Sequence, residues 1–482
     1  MSLDSTTAYA ALRARDARFD GRFFVGVTST GVYCRPVCSA RTPRAENCRF
    51  FANAAVAESH GFRPCLRCRP ELAPGLALID SPQALALQAA RMIERATLEG
   101  RDIYVGAIAS RLGVTDRHLR RIFQHAHGVS PIDYLSTRRL LLAKQLLTDT
   151  ALPVTQVALA SGFSSVRRFN ASFAARYRLN PSALRRAALS PNPAASALVV
   201  RLGYRPPYDV DAMLRFIAAR QVAGVESVDS TTWQRTLAGP TAETCGWFSA
   251  RFRRQQHDVE LHVAPSLVPS LGTVVQRVRH ALDLDADPSA FTDVLAKLPT
   301  PSSPGLRVAN GIDGFESAVR VILGQQVTVA GARTLTRRLV ERFGAPIETP
   351  HRELTRLFPS AADIADASPA ALGELGIVRQ RVQALQALAR EVAADRIALN
   401  AGAPLAPTLD ALRALPGIGE WTAQMIAMRA LAWPDAYPAS DVGVLKALGT
   451  RDANVALERA QAWRPWRAYA VMALWQSLEK TQ

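Results

Sequence analysis

Residues Leu415 to Lys446, LPGIGEWTAQMIAMRALAWPDAYPASDVGVLK, constrain the fold more tightly than any other stretch of the chain. Gly417 and Gly419 sit in a four-residue hairpin between two apolar patterns at helical spacing. Leu409, Leu412 and Leu415 precede it; Trp421, Met425 and Met428 follow. Glycine lets a backbone approach another surface closely, and the amides that open a helix attract anions, so the hairpin is expected to clamp a phosphate. Past the second helix a proline-punctuated turn delivers a single carboxylate, Asp441, at the start of a new helix. Such an arrangement can hold a DNA backbone and aim one acid at a sugar carbon. A bare PGxG would read as a plain helical connection with an aspartate cap; the full spacing argues for more.

A chain of 482 residues is too long for one core, so three or four domains are expected. No apolar run is long enough to span a membrane, and the polar opening MSLDSTTAYAALRARDARFDG shows no signal peptide, so a cytoplasmic protein is expected. The net charge of +17 is unevenly placed. Residues 1–196 hold 27 Lys+Arg against 13 Asp+Glu, whereas residues 197–482 hold 31 against 28. That bias favours a polyanionic partner in the front portion, with nucleic acid the simplest.

Four of the six cysteines form a close set, Cys34-x3-Cys38 and Cys65-x2-Cys68. Without a secretion signal, two close pairs joined by a foldable loop point to tetrahedral zinc rather than disulfides. Four thiolates on Zn²⁺ leave a net charge of about −2, which keeps sulfur nucleophilic. Arg35, Arg41, Arg44, Arg49, Arg63, Arg67 and Arg69 crowd the segment and could hold a phosphate backbone against it. Cys48 reads as a small core residue, and Cys245 carries no signal.

After the PELAPG breaker the chain turns helical, and one punctuation occurs twice. SRLGVTDRHLRRIF precedes HGVSP and ASGFSSVRRFNASF precedes YRLNP, with Gly113 and Gly162 marking turns between a short apolar helix and a basic one. Two helix-turn-helix units follow, whose second helices would enter successive major grooves. Arg117, His118, Arg120 and Arg121 are the DNA-facing candidates of the first, and Ser165, Arg167, Arg168 and Asn170 of the second. Leu119, Ile122, Phe123, Phe169 and Phe173 read as core.

SPNPAAS is a linker. Beyond it ALVVRLGYRPPYD is strand-like, and DVDAMLRFIAARQVAG is an amphipathic helix with Asp209 as its cap. SVDSTTWQRTL, GWFSARFR and VELHVAPSL alternate as strands. Then GFESAVRVILGQQVTVAGARTLTRRLVERFG reads as one long amphipathic helical region. Trp463 and Trp466 read as packing for the last helix.

Three blocks covering nearly the whole chain carry a resemblance. Residues 1–80 resemble the Ada-type zinc domain, residues 84–188 the AraC-type regulatory domain, and the remainder the AlkA-type 3-methyladenine glycosylases of the helix–hairpin–helix superfamily. The fold so implied is multidomain and mainly α. A small four-cysteine zinc domain and a double helix-turn-helix precede an α+β antiparallel-sheet subdomain (197–295) and an all-α glycosylase domain (296–482). The resemblance makes Asp441 catalytic and Cys34 the acceptor of a methyl group from a DNA methylphosphotriester. Zinc would be held by Cys34, Cys38, Cys65 and Cys68.

The resemblance further implies a pocket for an everted base, lined by Trp421 and Trp475 with Phe216, Gln325, Met425 and Val442, although Phe216 reads equally as core. Met425 and Val442 depart from the family's aromatics. Gln326 takes the wedge position, where an apolar residue is usual, and Gly417, Gly419 and Thr422 touch DNA. A monovalent cation at the hairpin is also implied, as is RNA polymerase as the partner of the activator half. No cysteine follows Cys245, so no iron–sulfur cluster is expected, and with Trp421 after Gly419-Glu420 and only four lysines in the chain, hydrolysis without strand cleavage is expected. No Pro-Cys-His-Arg motif occurs, so repair of O6-alkylguanine is not. Removal of alkylated purines together with methyl-triggered regulation is the function implied. Its rivals are a regulator whose glycosylase half only binds DNA, and an enzyme whose zinc site is purely structural.

Overall fold

The computed structural model describes residues 4–15, 19–20, 22–38, 40–65, 68, 70, 81–98, 103–112, 114–149, 152–184, 198–239, 244–300 and 302–479. Both linkers (PELAPG beyond Pro70, and SPNPAAS), Gly113, Arg67 and Arg69 lie outside them. The chain packs as two compact units, Met1–Arg201 with Val263–Gln276, and Leu202–His262 with Arg277–Gln482. No helix among the described residues is long and apolar enough to cross a membrane.

The first unit opens with a small sheet of β1 (Phe24–Val27), β2 (Val32–Cys34), β3 (Cys48–Phe51) and β4 (Arg63–Pro64), in the order β3-β1-β2-β4. Phe24, Tyr33, Phe51, Ala57 and Phe62 form its core. Two helix pairs follow, Val105–Arg111 with Asp116–His127 and Val154–Ala160 with Val166–Tyr177. Each second helix is capped by a hydroxyl: Thr115 accepts from the His118 amide at 3.2 Å and Ser165 from the Arg168 amide at 3.1 Å. Leu119, Phe123, Phe169 and Phe173 are fully buried, as their periodicity requires.

Beyond the helix pairs, β5 (Leu198–Gly203), β6 (Glu226–Val228), β7 (Thr232–Leu237), β8 (Gly246–Arg253) and β9 (Asp258–Val263) form one sheet, ordered β5-β9-β8-β7-β6, most of whose residues belong to the second unit. Period-two burial is plain in β8, where Phe248, Ala250 and Phe252 point inward, and in β9, where Val259, Leu261 and Val263 do. The helix Val210–Ala218 starts where Asp209 accepts from the Ala212 amide at 2.9 Å. The long helical region is built of two helices, Gly314–Leu323 and Val329–Phe343. Apolar periodicity runs across the break, but Gln326 takes φ +53°, a left-handed conformation that no helix tolerates.

Three buried charges and the half-buried Arg320 join sheet to helices. Arg235 on β7 reaches Glu226 at 3.3 Å and Glu316 at 2.7 Å; Arg320 reaches the same two at 2.6 and 2.7 Å. Burial pushes Glu226 up, yet Arg320 and Arg235 outweigh it and hold its carboxyl below the usual range. Removing one member strands a buried charge. Arg235→Met should therefore cost about 3–5 kcal/mol. Arg337→Met, which breaks an exposed pair with Glu341, should cost at most about 1 kcal/mol. All seven tryptophans lie in the second unit, so the urea midpoint followed by their fluorescence reads this unit in the full chain.

Candidate metal centre and active site

Strand pairing brings the cysteines together. β2 ends at Cys34 and runs parallel to β4, and the Cys65 amide donates to Tyr33 at 2.9 Å, which sets Cys65 beside Cys34. A turn closed by the Cys38 amide on the Arg35 carbonyl at 3.1 Å returns Cys38 to the cluster. All four sulfurs lie within 4.8 Å of one another, a spacing suited to tetrahedral sulfur ligation of zinc. Without a cation they share protons: Cys34 is held protonated through its hydrogen bonds to Cys38 and Cys68, while Cys38 is pulled down to about 2 chiefly by Cys34. A bound zinc ion supplies the positive charge that lets all four be thiolates.

The four sulfurs are not equivalent. Cys68 accepts the Arg35 amide at 3.3 Å and Cys38 the Ala40 amide, and both bonds withdraw electron density from sulfur. Cys34 is engaged chiefly with the other sulfurs. Arg35, expected at phosphate, is instead committed inward, pairing with Asp20 and donating to the Cys68 carbonyl at 3.3 Å. Arg41, Arg44, Arg49 and Arg63 are exposed.

On the helix-turn-helix pairs Arg117, Arg121, Arg167, Arg168 and Asn170 are exposed on the second helices. Arg120 is half-buried and bound to Asp116 at 3.1 Å, so less of its charge is free for a phosphate. His118 meets Arg121 at 3.1 Å, and the Ser165 hydroxyl serves as the cap described above.

In the second unit the hairpin is fixed from behind. Gly417 has φ +76°, and a Cβ there would sit 3.1 Å from the Ala384 methyl, so both conformation and space call for glycine. Gln325 donates to the Gly417 carbonyl and to the Thr422 hydroxyl, each at 2.9 Å, and Arg381 holds the Gln325 carbonyl. Gln325 thus spends its amide donors on the hairpin. Thr422, expected at the DNA, turns inward and is 3% exposed, because its hydroxyl is the partner Gln325 needs. Gly419 begins the helix Glu420–Arg429 with no side-chain cap, and nothing lies within 4 Å of where its Cβ would be. The first amides of that helix are therefore open to an anion. Glu420, which would repel one, is drawn aside by Arg413 at 2.7 Å. Gln326 is exposed on the loop before Val329–Phe343, flanked by exposed Val327 and Val329.

Asp441 caps the helix Val442–Ala447. Its Oδ1 accepts from the Val444 amide at 3.0 Å and from Trp475 Nε1 at 2.9 Å, and its Oδ2 accepts from Trp421 Nε1 at 3.1 Å. The two tryptophans expected to line the pocket thus also aim the acid. Gly443 makes this possible, since a Cβ there would fall 2.9 Å from Trp475 Cδ1 and 3.1 Å from Asp441 Oδ1. The last helix, Arg467–Glu479, is tied to the turn before Asp441 by the buried bond of Arg467 to Asp435 at 2.7 Å, and Trp463 and Trp466 are buried beneath it. Phe216 lies near-parallel to Trp475, at 14° and 6.3 Å between centroids. A planar base between two ring faces needs about 7 Å, twice the carbon contact distance, so a small opening admits one. Met425 is half-buried on the Glu420–Arg429 helix, and Val442 is 79% exposed beside Asp441. Sequence reasoning missed Gly443, whose only signal is a glycine in a helix's first turn, and the pair Arg220 and Arg429, which lie 3.6 and 4.8 Å from the Phe216 ring centre.

Four family profiles match in succession. They are the metal binding domain of Ada over residues 7–71, a helix-turn-helix domain over 108–187, the AlkA N-terminal domain over 199–313 and the HhH-GPD superfamily of base excision DNA repair proteins over 319–457. The chain is 31% identical to DNA-3-methyladenine glycosylase 2 of Escherichia coli, over 57% of this chain and 95% of that one. The solved 3-methyladenine DNA-glycosylase of Archaeoglobus fulgidus shares the fold of the second half, with a TM-score of 0.50, 19% identity and coverage of 58% of this chain and 99% of that one. A Mycobacterium tuberculosis protein described as a "probable bifunctional transcriptional activator/DNA repair enzyme AlkA" is 38% identical over 99% of this chain and 97% of its own. Held along the full length of both, with zinc-binding, helix-turn-helix and glycosylase parts in one order, that identity places the chain in the family of AlkA-type bifunctional transcriptional activator/DNA repair enzymes.

Proposed function

We propose that the second unit hydrolyses the N-glycosidic bond of alkylated purines of the 3-methyladenine type. The observation that carries this reading is the Asp441 carboxylate aimed by two indole N–H groups beside the Phe216–Trp475 pair. Alkylation at N3 or N7 makes the base cationic and already a good leaving group, attracted to electron-rich ring faces. As the C1′–N bond breaks, its electron pair goes to the base and positive charge builds on the deoxyribose. Asp441 stabilises that charge and orients water, whose oxygen forms the new bond to C1′ while its proton passes to the carboxylate. The open amides after Gly419 hold a backbone phosphate, and Gln326 fills the gap left in the duplex.

The first unit, in the same proposal, accepts a methyl group. The Cys34 sulfur attacks the methyl carbon of a DNA methylphosphotriester; the S–C bond forms as the C–O bond breaks, and the electron pair stays on the phosphate oxygen. Zinc, when bound, keeps the sulfur deprotonated. Methylation removes one negative charge from the cluster, repulsion from DNA falls, and the helix-turn-helix pair binds promoter DNA more tightly. RNA polymerase is the partner that such an activator recruits.

Three outcomes follow. Asp441→Asn should lower release of 3-methyladenine from alkylated duplex by about 10²- to 10⁴-fold while duplex binding persists. Unchanged release would mean that Asp441 is not the catalytic acid. Gly443→Ala, by pushing Trp475 off the carboxylate, should lower release by about 10- to 100-fold. Mass spectrometry of the zinc-loaded chain after exposure to methylphosphotriester DNA should find one added methyl on Cys34. An unmodified peptide would leave the zinc site structural.

A further inference from the structure

The helix Glu420–Arg429 buries Thr422, Ala423, Ile426, Ala427 and Met428, while Trp421, Met425 and Arg429 stay half-buried. Those three recur every fourth residue and therefore share one face. At its hairpin end Trp421 donates to Asp441 at 3.1 Å. At its other end the Arg429 guanidinium lies 4.8 Å from the centre of Phe216, which parallels Trp475, whose indole returns to Asp441 at 2.9 Å. These contacts close a ring, with the carboxylate at one end and Arg429 at the other. Eight residues of helix, about 12 Å, separate the two ends.

Arg429 is a cation whose near contact is the Phe216 ring face and not a carboxylate. Among the described residues its side chain has neither an ion pair nor a hydrogen bond, whereas the nearby Glu226 is already shared by Arg235 and Arg320. Burial pushes the guanidinium down to about 9, and Arg220 and Arg320 add to the effect. It is still charged at neutral pH. A charged donor left half-buried without a partner is costly, and the ring it faces is where an everted base would enter. Such a group offsets part of the attraction that the ring faces hold for a cationic base. It favours a neutral base carrying an acceptor on the edge remote from C1′. Met425 in the same stripe works in the same direction, since a thioether offers a cationic base less attraction than a ring face would.

We propose that Arg429 is the specificity-determining residue of this cleft. It donates to a carbonyl or ring nitrogen on the far edge of an electrically neutral everted base, and stabilises the negative charge that such a base takes up on leaving. The inference rests on the base-removal reading above. When a neutral base leaves, the C1′–N bond breaks with its electron pair on the base, water supplies the new C1′–O bond, and a proton from that water finally neutralises the base. A cationic base leaves neutral and needs no such help.

The test is single-turnover release by the full chain from duplexes carrying one hypoxanthine, neutral and bearing a carbonyl, or one 7-methylguanine, cationic. Arg429→Met should lower the hypoxanthine to 7-methylguanine rate ratio at least tenfold, and Arg429→Lys, which keeps the charge without the fork, should recover part of it. A partly misfolded variant would slow both reactions and leave the ratio alone, so an unchanged or increased ratio overturns the inference. Wild-type release of 7-methylguanine with none of hypoxanthine overturns it too, while sparing the base-removal reading. Release of neither base removes both.

Discussion

The Asp441 carboxylate accepts from Trp421, Trp475 and the Val444 amide, donors that come from three separate helices. Because each bond fixes a different direction, the acid has one orientation only while all three helices hold station. Much of the second unit can be read as the means of holding them. Gln325 pins the hairpin that launches the Trp421 helix, and Arg467 on Asp435 pins the last helix to the turn that carries Asp441. Gly443 leaves the gap across which the Trp475 indole lies. The four-charge cluster of Glu226, Arg235, Glu316 and Arg320 fixes the sheet subdomain against the helix Gly314–Leu323, which leads to Gln325. An acid that must meet charge developing on a sugar ring gains from such preorganisation, since nothing has to reorient during the reaction.

The two units handle charge differently. The second is nearly balanced and spends many of its arginines internally, on carboxylates and carbonyls, so the proposed grip on DNA rests on backbone amides at the hairpin and a few exposed side chains. The first carries most of the net positive charge, with Arg117, Arg121, Arg167 and Arg168 displayed on two helices. Its four cysteines, as thiolates, form a local patch of the opposite sign. In the proposed function one methylation there changes the sum, and a chemical signal at sulfur becomes an electrostatic one at the duplex.

What was legible in the sequence was what depends on near neighbours. The cysteine spacing, the hairpin glycines, the Asp209 cap and the alternation in β8 and β9 are each decided within a few residues. The break within the helical region at GQQVTV was not legible, because apolar periodicity continues across it and the partners of Gln325, Gly417 and Thr422, lie about ninety residues away. The inward turn of the Thr422 side chain was hidden for the same reason. Arg35 read as a DNA contact because its partner Asp20 cannot be seen from composition. Phe216 stayed ambiguous between core and pocket, since only the fold sets it against Trp475 and beneath Arg220 and Arg429.

At the centre of this account is a carboxylate placed to stabilise positive charge on an everted deoxyribose. The most direct measurement compares the affinity of the full chain for two duplexes that differ only at one abasic position, a cationic pyrrolidine analogue of the sugar or neutral tetrahydrofuran. The account predicts that the cationic analogue binds more tightly by about 100-fold or more, as a mimic of the transition state should. Equal affinity for the two would contradict it.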